Sequence, residues 1–340
     1  MIDRLRINHD LPDEDLKALL ESPDASLRQD LFAAAREVRD ASVGHCVRLR
    51  ALIEVNNRCL GDCLYCGIRR SNSGIIRYSL SSSEILESAR LAYGKGVRTF
   101  VLQGGENPTL AARLISTVGE MHGAYPDAVI TLSLGELPYE TYAAFRKAGA
   151  GRFLLRHETA TEAHYAQLHP AGKSLASRLS CARELRRLGF EVGLGMMVGS
   201  PFQTTGLLIA DLRLLQQFRP EMIGCGPFIP HHSTPFAYFP SGSAETTLRI
   251  YAILRLMLPT ANIPSTTALA VLQRAQGSGA TCASELCAFP GLEAGANVLM
   301  PNFTPKTVRA GYDLYEGKTK QDTNFESITS RLKENGYDYV

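Results

Sequence analysis

The chain has 340 residues, enough for two average domains or for one large α/β barrel with a substantial core. Hydrophobic residues make up 45% and charged residues 21%, and 36 basic against 34 acidic residues leave a formal net charge of +2, as in an ordinary globular protein. Because no long run of one charge is present, electrostatics indicate neither nucleic acid nor a membrane surface as a partner.

The sequence carries no sign of export or of membrane insertion. No apolar stretch approaches the roughly 20 residues of a membrane span, and the N-terminal segment MIDRLRINHDLPDEDLK is too charged for a signal peptide. We therefore expect a cytoplasmic protein. Its eight cysteines do not predict a disulfide framework, because such frameworks belong mainly to exported chains.

Two helices are predicted before the first strand, over 11–22 and 26–44, because apolar residues there recur at helical spacing. From residue 49 onward, short apolar strands alternate with amphipathic helices, the pattern of repeated βα units. The helices include 81–96, 137–149, 174–189 and 245–259. The predicted strands are 49–57, 98–105, 128–135, 152–158, 191–199, 222–230, 263–269 and 297–301.

This alternation predicts an α/β fold, a (β/α)8 TIM-type barrel with N-terminal helices and a C-terminal tail extension. A doubly wound open sheet is the alternative. Since no shift in composition marks a linker, we expect one domain over 1–340. Within it, residues 1–48 would form the N-terminal helices, 49–305 the barrel and 306–340 the tail.

Polar side chains follow most of the predicted strands at their carboxyl ends. In a barrel of parallel strands, these ends and the loops after them converge on one mouth, where catalytic residues lie. The polar residues are Glu54, Asn56, Asn57, Gln103, Glu106, Ser133, Glu136, Arg156, His157, Glu158, Thr266, Thr267 and Asn302. A barrel with a purely structural role would not need so many, so we expect the functional site at this mouth.

Three of the eight cysteines, Cys59, Cys63 and Cys66, lie directly after the first predicted strand. Thiolates at this spacing on one loop can converge on a metal centre. A structural zinc site normally has four ligands, and no CxxC or HxxxH pair stands out elsewhere. A redox CxxC would make Cys59 superfluous, and chance clustering of core cysteines fits poorly with the polar loop around them. Three thiolates on one iron–sulfur cluster would leave one iron open to another ligand.

The C-x3-C-x2-C spacing, with Tyr65 just before the third cysteine, resembles the signature of the radical S-adenosylmethionine superfamily. The resemblance implies a 4Fe-4S cluster on the three cysteines, whose open iron is chelated by the amino and carboxylate groups of S-adenosylmethionine. One electron from the cluster would cleave the sulfonium and give a 5′-deoxyadenosyl radical. The position of the motif, after the first strand of a βα barrel, also matches this superfamily.

A further resemblance covers nearly the whole chain. Its segments look like FeFe-hydrogenase maturases of the HydE family, on the branch shared with biotin synthase and methylornithine synthase. The RHET, PFIPH and GANVxMPNxTP stretches are the discriminating ones. The matching segments are VLQGGENP at 101–108, TLSLGE at 131–136, LLRHETA at 154–160, GMMVGSP at 195–201, GPFIPHHSTP at 226–235, IPSTTAL at 263–269 and AGANVLMPNFTP at 294–305.

The resemblance also implies roles for individual residues. Gly104, Gly105 and Glu106 match the strand end that receives the amino group of S-adenosylmethionine, and Arg178 matches the arginine that pairs with its carboxylate. The other implied cofactor-binding residues are Tyr65, Ser133, Glu158 and Met197. The implied substrate-binding residues are Arg156, His157, Thr266, Thr267 and Tyr312.

The same resemblance implies a substrate and partners. The family acts on an iron–carbonyl–cyanide–cysteine precursor during assembly of the diiron subcluster of the hydrogenase H-cluster. We therefore expect a small organometallic or amino-acid-derived substrate, other hydrogenase maturation proteins as partners, and an electron donor. We expect no nucleic acid and no membrane.

Two features depart from the family pattern. The tail from 315 to 340 contains no cysteine, so we expect no second cluster there. The segment 273–291 looks longer than the family's usual loop and contains Cys282 and Cys287, which alone would make an incomplete metal site. We interpret it as a surface insertion.

Three alternative functions differ in how well the sequence supports them. A methylornithine synthase-like mutase stays open. A biotin synthase-like enzyme is disfavoured, because it needs further cysteines on the inner strands and 98–105, 128–135 and 191–199 contain none. A non-catalytic scaffold that carries iron–sulfur fragments to a partner is the third.

Overall fold

Three helices precede the barrel in the computed structural model, which describes residues 1–275, 289–321 and 323–340. They are α1 (Ile2–Asn8), α2 (Asp13–Glu21) and α3 (Ala25–Val43). The Asp24 side chain caps the start of α3 by accepting a hydrogen bond from the Ser26 amide. Gly44, with a φ of 87°, follows its last turn. All three helices pack on a later helix that is buried over most of its length, so they cover one side of the barrel.

Short parallel strands form the barrel. Within the described residues they are β1 (Arg48–Leu49), β2 (Ala51–Asn56), β3 (Thr99–Gly104), β4 (Val129–Ser133), β5 (Ala150–Leu154), β6 (Glu191–Leu194), β7 (Met197–Val198), β8 (Met222–Ile223), β9 (Gly226–Pro227) and β10 (Val298–Leu299). Six of them pair in the order β2-β3-β4-β5-β6-β8. Every residue of β2 is buried, as expected for a parallel strand that is covered on both faces.

The two edges of this sheet meet through short pairings. β1 pairs in parallel with β10, and β7 with β9. Isolated parallel bridges complete the ring and join Met222 with Asn262, Pro264 with Val298, and Leu52 with Asn302. Residues 262–264 therefore occupy the seventh strand position and β10 the eighth, so that the sheet closes on itself.

Helices alternate with the strands and cover the outside of the barrel. They are α4 (Ser82–Gly94), α5 (Pro108–Ala124), α6 (Tyr139–Lys147), α7 (Glu162–Leu168), α8 (Leu175–Arg187), α9 (Thr205–Phe218), α10 (Ala244–Met257), α11 (Thr267–Ala275) and α12 (Pro290–Glu293). Five begin after a residue whose side chain accepts a bond from the first-turn backbone, namely Ser81, Asn107, Ser174, Thr204 and Ser243. These caps fix where each loop at the mouth of the barrel ends.

The chain after β10 returns to the barrel. It forms α13 (Lys306–Arg309), a 3-10 helix (Lys318–Lys320) and α14 (Phe325–Glu334). The last residues pair beside β1, where the Leu49 amide donates to the Val340 carbonyl at 2.7 Å. None of the helices that the structure describes combines the length and the apolar character that a membrane crossing requires.

One predicted strand differs from the structure. The segment 263–269 pairs only around Pro264, and α11 begins at Thr267. Proline donates no backbone hydrogen bond, which limits the pairing that can continue through it. Within the segment 273–291, residues 276–288, with Cys282 and Cys287, lie outside the described residues.

Candidate active site

The carboxyl ends of β2–β6 open into one large cavity, whose far wall is formed by the C-terminal tail. We call it the barrel cavity. All but one of the site residues predicted from the sequence line it: Cys59, Cys63, Tyr65, Cys66, Gly104, Gly105, Glu106, Ser133, Arg156, Glu158, Arg178, Met197, Thr266, Thr267 and Tyr312. The exception is His157. The structure thus gathers residues that are more than 250 positions apart in the chain.

The cysteine loop, residues 57–78, is held in place by one arginine. The Arg77 guanidinium donates to the backbone carbonyl oxygens of Asn57, Ile68, Arg69 and Asn72 over 2.5 to 3.0 Å. Because a guanidinium presents five donors in a fixed fork, it can hold both ends of a loop at once. Arg77 therefore fixes the path of the backbone that presents the cysteines.

Asp62 fixes the segment between the first two cysteines. Its Oδ1 accepts from Arg69 Nε at 2.8 Å, from the Ser71 amide at 3.1 Å and from the Ser71 hydroxyl at 2.8 Å. The hydrogen bond from Arg69 is the main reason that the pKa of Asp62 lies well below its usual range. Asp62 is thus a structural carboxylate of the loop and not a free ligand of the barrel cavity.

Two glycines at the end of β3 allow the cysteine loop to approach. A Cβ atom on Gly105 would lie 2.6 Å from the backbone nitrogen of Cys59, and one on Gly104 would lie 2.6 Å from Asn56 Nδ2. The Leu60 amide donates to the Glu106 carbonyl at 2.8 Å beside them. Gly105 is therefore required because the cysteine loop packs directly on the strand end, and Gly104 because β2 packs closely beside it.

The three thiols of the loop share a buried space. Burial raises the pKa of each thiol, that of Cys63 to about 12, and neighbouring thiolates add to the effect at Cys63 and Cys66. All three are free of disulfides. A bound cation would relieve this repulsion by replacing the protons, so the donor set suits a metal centre.

Four charged side chains form a network at one side of the barrel cavity. Glu106 Oε1 lies 2.5 Å from Lys173 Nζ, and Glu106 Oε2 accepts from the Glu136 amide at 2.9 Å and from Arg178 Nη1 at 3.3 Å. Arg178 Nη1 also reaches Glu136 Oε1 at 3.1 Å. Burial alone would raise the pKa of Glu106, but Arg178 and Lys173 outweigh it and lower that pKa. The Glu106 carboxylate is therefore a charged group that already binds an ammonium.

Arg156 and Glu158 contribute buried polar atoms whose hydrogen-bonding capacity is only partly used. Their Nη2 and Oε2 atoms lie 2.9 Å apart. Across the described part of the chain, Arg156 Nε and Nη2 and Glu158 Oε2 are nevertheless among the buried atoms without a hydrogen bond. Glu158 also has a φ of 67°, a left-handed conformation that costs a residue with a side chain about 1 to 3 kcal/mol. Unsatisfied polar atoms on a strained backbone are typical of a ligand site.

Aromatic residues line the wall nearest the cysteine loop. Tyr165 stacks on His169 with ring centroids 3.8 Å apart. His169 Nδ1 lies 2.9 Å from the Tyr165 carbonyl oxygen, which can only accept, so this nitrogen carries the proton. His169 Nε2 then accepts from the Tyr65 hydroxyl at 3.2 Å. Burial lowers the pKa of His169, which favours this neutral form. Met197 packs beside Tyr65 in an apolar cluster, so this wall offers flat and apolar surface.

The wall formed by the tail combines hydroxyl groups with a buried ion pair. The Thr266 hydroxyl lies 3.3 Å from the hydroxyl of Tyr251. Tyr312 is buried, and the Lys318 ammonium lies 4.9 Å from its ring centroid. Lys318 also pairs with Glu54, which is fully buried on β2.

The prediction that His157 binds substrate is corrected by its position. Its side chain is fully buried on the outer side of the barrel wall, where Nε2 lies 3.1 Å from Asp211 Oδ1 on α9. Arg156 and Glu158 line the cavity on either side of His157 in the chain. The bonds of the imidazole to Asp211 and to the Gly195 amide hold His157 away from the cavity.

Several residues of the cavity were not predicted. Glu136 was among the polar residues at strand ends without an assigned role, whereas Tyr165, His169, Lys173 and Lys318 were not singled out. The segment HPAGKS at 169–174 supplies two of them in the loop before α8. The sequence around a single lysine or histidine in a loop does not indicate where its side chain points.

Three partly buried, reduced thiols line one end of the barrel cavity. In an iron–sulfur cluster each thiolate binds a different iron, so a set of three can hold a cluster and leave one iron open. Across residues 1–275, 289–321 and 323–340, no group of three or more His, Cys, Asp or Glu is gathered closely enough to hold a single metal ion.

Comparisons with known proteins agree with this geometry. Residues 53–215 match the model of the Radical SAM superfamily. The chain is 43% identical over 310 residues to the FeFe hydrogenase maturase subunit HydE of Thermotoga maritima, covering 90% of this chain and 84% of that protein. It is 28% identical over 331 residues to a 3-methylornithine synthase of Methanosarcina acetivorans, covering 95% and 89% of the two chains.

A solved structure supports the fold over the whole chain. The crystal structure of methylornithine synthase (PylB) superposes with a TM-score of 0.84 at 26% identity, covering 100% of this chain and 97% of that one. The predicted α/β barrel is therefore confirmed. Radical SAM proteins use a 4Fe-4S cluster and S-adenosylmethionine, which agrees with the donor set of the cavity. The chain belongs to the FeFe hydrogenase maturase HydE family of radical S-adenosylmethionine enzymes.

Proposed function

We propose that this enzyme cleaves S-adenosylmethionine reductively during assembly of the diiron subcluster of FeFe hydrogenase, with an iron–carbonyl–cyanide–cysteine precursor as substrate. Cys59, Cys63 and Cys66 hold the 4Fe-4S cluster. The observation that carries the proposal is that three reduced thiols and the ion pair of Arg156 and Glu158 line one cavity, with Arg156 Nε left without a hydrogen bond. Other hydrogenase maturation proteins and an electron donor are its partners.

The charged network binds the amino-acid part of S-adenosylmethionine. Glu106 receives the α-ammonium, and Arg178 pairs with the carboxylate. The Lys173 ammonium 2.5 Å from Glu106 supports this role, because it is the same kind of group as an α-ammonium. Gly104 and Gly105 give the cosubstrate access to the loop, and their lack of a side chain suits that task.

The remaining cofactor-binding residues surround the nucleoside. Tyr65 and Met197 offer the adenine an aromatic and an apolar surface, and Glu158 and Ser133 offer polar atoms to the ribose side. The strained backbone of Glu158 supports a role in binding, because such conformations persist where a site requires them.

The substrate lies deeper, against the wall formed by the tail. Arg156 presents an Nε donor that has no hydrogen-bond partner, and Thr266 and Thr267 present hydroxyl groups, which together suit a compact anion. Tyr312 closes this end of the cavity. The cluster, when bound, supplies the electron that converts S-adenosylmethionine into methionine and the 5′-deoxyadenosyl radical. The chain holds the reactants together and excludes water from them.

A comparison of substrates tests the proposal. The reconstituted and reduced protein is incubated with S-adenosylmethionine and either an iron–carbonyl–cyanide–cysteine complex, lysine, or no addition, and 5′-deoxyadenosine is measured. We expect the iron complex to accelerate its formation well above the rate without substrate. Acceleration by lysine alone would favour a mutase like the related 3-methylornithine synthase. A protein that binds S-adenosylmethionine but never cleaves it would be a scaffold.

A further inference from the structure

The buried pair of His157 and Asp211 lies outside the barrel cavity, yet it is attached to two residues of the cavity wall. His157 lies in the chain between Arg156 and Glu158, and both of these line the cavity. The side chains of His157 and Asp211 are both 0% exposed. Neither has access to substrate, so any influence on the site must act through the backbone.

The hydrogen bonds of His157 fix how it is held. The Gly195 amide donates to His157 Nδ1 at 3.3 Å, so the proton of the neutral ring is on Nε2. Nε2 then donates to Asp211 Oδ1 at 3.1 Å. The ring therefore joins three elements: the end of β5, the segment after β6, and helix α9.

Asp211 lies at a position of α9 where the pattern of buried residues predicts an apolar side chain. It lies on the buried face of α9 with Leu208, Leu212 and Leu215, at helical spacing. A carboxylate is costly to bury unless it has a partner. The His157 ring is its side-chain hydrogen-bond partner, and the Ala160 backbone amide also lowers its pKa. The bond to His157 therefore gives a reason for an aspartate at this position.

The backbone of residues 156–158, which His157 anchors, includes a strained residue. Glu158 has a left-handed φ of 67°, and a strained conformation persists only when the surroundings hold it. Its amide donates to the Gly195 carbonyl at 3.0 Å, and its carbonyl accepts from the Met197 amide at 3.2 Å. Gly195 thus binds both His157 and Glu158, so a shift of the imidazole would move the Glu158 backbone as well.

We propose that His157 and Asp211 are positioning residues: they anchor the outer side of the 156–158 segment so that Arg156 and Glu158 point into the barrel cavity. The anchoring role is inferred from contacts in the folded chain. That the bound molecule is S-adenosylmethionine rests on the proposed function. Replacing residues that orient a ligand-binding group commonly weakens binding by roughly tenfold to a hundredfold. We expect a loss of that size in the affinity for S-adenosylmethionine when the anchor is removed.

Four variants test this with the cluster reconstituted. His157→Leu removes the bond and leaves Asp211 buried without its side-chain partner, whereas His157→Gln keeps an amide donor. The double variant His157→Leu/Asp211→Leu replaces both partners by apolar groups, which can restore stability. Leu212→Ala is the matched control, since it leaves a cavity at a neighbouring buried position of α9 and spares the bond.

Two measurements separate positioning from stability. Urea unfolding gives the stability of each variant, and the change in the EPR spectrum of the reduced cluster on titration gives the affinity for S-adenosylmethionine. We expect weak binding in His157→Leu and in the double variant, although the double variant regains stability. His157→Gln and Leu212→Ala should bind within a few-fold of the wild type.

Two results would overturn the proposal: wild-type affinity in His157→Leu, or an affinity in the double variant that returns together with its stability. Either would show that the pair stabilises the fold without positioning the site. A wild-type spectrum that S-adenosylmethionine does not change would instead contradict the proposed function.

Discussion

Each thiol of the cysteine loop lies in a space where a thiolate would be repelled by the next. The pKa of Cys66 is raised first by burial and then by Cys63 and Cys59, and that of Cys63 by burial and then by Cys59. Arg178 partly offsets the effect at Cys63. Without a metal the thiols therefore stay protonated at neutral pH, and binding of an iron–sulfur cluster must release these protons.

Replacing one of these thiols should remove the cluster. In Cys63→Ala the loop keeps its Asp62 and Arg77 contacts, so the fold should persist while one ligand is lost. We expect the visible absorption of the 4Fe-4S cluster and the formation of 5′-deoxyadenosine both to fall to background. Iron and sulfide analysis after reconstitution provides the measurement.

A second cysteine gives the control for this experiment. Cys46 is exposed and lies outside the barrel cavity, so Cys46→Ala should reconstitute like the wild type. If Cys63→Ala retained full iron content, the three-cysteine assignment would be contradicted.

The sequence predicts which residue types lie at the mouth of the barrel but not where each side chain points. His157 is polar like its neighbours, yet its side chain lies on the outer side of the barrel wall and bonds to Asp211. Arg77 and Lys173 are single cations in loops, where a solvated side chain is the usual expectation. Their roles depend on backbone carbonyls and carboxylates that only the fold brings to them.

At the scale of elements, the contact between the end of β3 and the cysteine loop determines how close the cluster site lies to the sheet. A methyl group on Gly105 would lie 2.6 Å from the Cys59 nitrogen and 2.8 Å from its Cα, and backbone atoms cannot yield as a flexible side chain can. We expect Gly105→Ala to cost about 1 to 3 kcal/mol in the free energy of unfolding and to lower the iron content after reconstitution.

A glycine in a neighbouring helix serves as the comparison. Gly119 lies inside α5, and a Cβ atom there would meet nothing within 4 Å. Gly119→Ala should therefore stabilise the protein by roughly 1 kcal/mol and leave the iron content unchanged. Equal iron contents in the two variants would show that the Gly105 contact does not determine the position of the cysteine loop. Urea unfolding and iron analysis measure both effects.

The limits of strand prediction are clearest at the seventh strand. Ile263, Thr266 and Thr267 are β-branched, and β-branched residues favour strands. In the structure the pairing stops near Pro264, and Thr267 instead begins α11. The helix α1 was also not predicted, because its seven residues are too few to show a clear period.

At the scale of the whole molecule, the alternation of strands and helices was sufficient to predict the barrel. The pairing that closes the barrel could not be predicted in detail. It consists partly of isolated β-bridges, such as that of Leu52 with Asn302, and single pairs of this kind leave no pattern in the sequence. The division of 1–340 into helices, barrel and tail stays a prediction. The tail nevertheless contacts the barrel at both β1 and the cavity, which indicates that it contributes to the stability of the whole chain.

A buried ion pair joins the tail to the barrel: Lys318 pairs with Glu54, which lies 264 residues away in sequence. Glu54 is 0% exposed, and the side-chain amide of Asn302 also donates to it at 3.1 Å. Removing one partner of a buried pair leaves a charge without compensation and costs about 3 to 5 kcal/mol. We therefore expect Lys318→Met to lower the free energy of unfolding by about 3 kcal/mol, toward the smaller end of that range, because Asn302 remains.

Lys320 provides a control, which shows what the loss of an exposed tail lysine does to stability. It lies in the same 3-10 helix but is exposed, so Lys320→Met should change the free energy of unfolding by less than about 0.5 kcal/mol. Glu54→Gln combined with Lys318→Met should recover part of the loss, because the buried group is then neutral. Urea unfolding of the three variants gives the values. If Lys318→Met and Lys320→Met were equally stable, the tail would not be held to the barrel by this pair, and its attachment would have to come from its apolar contacts and from the pairing beside β1.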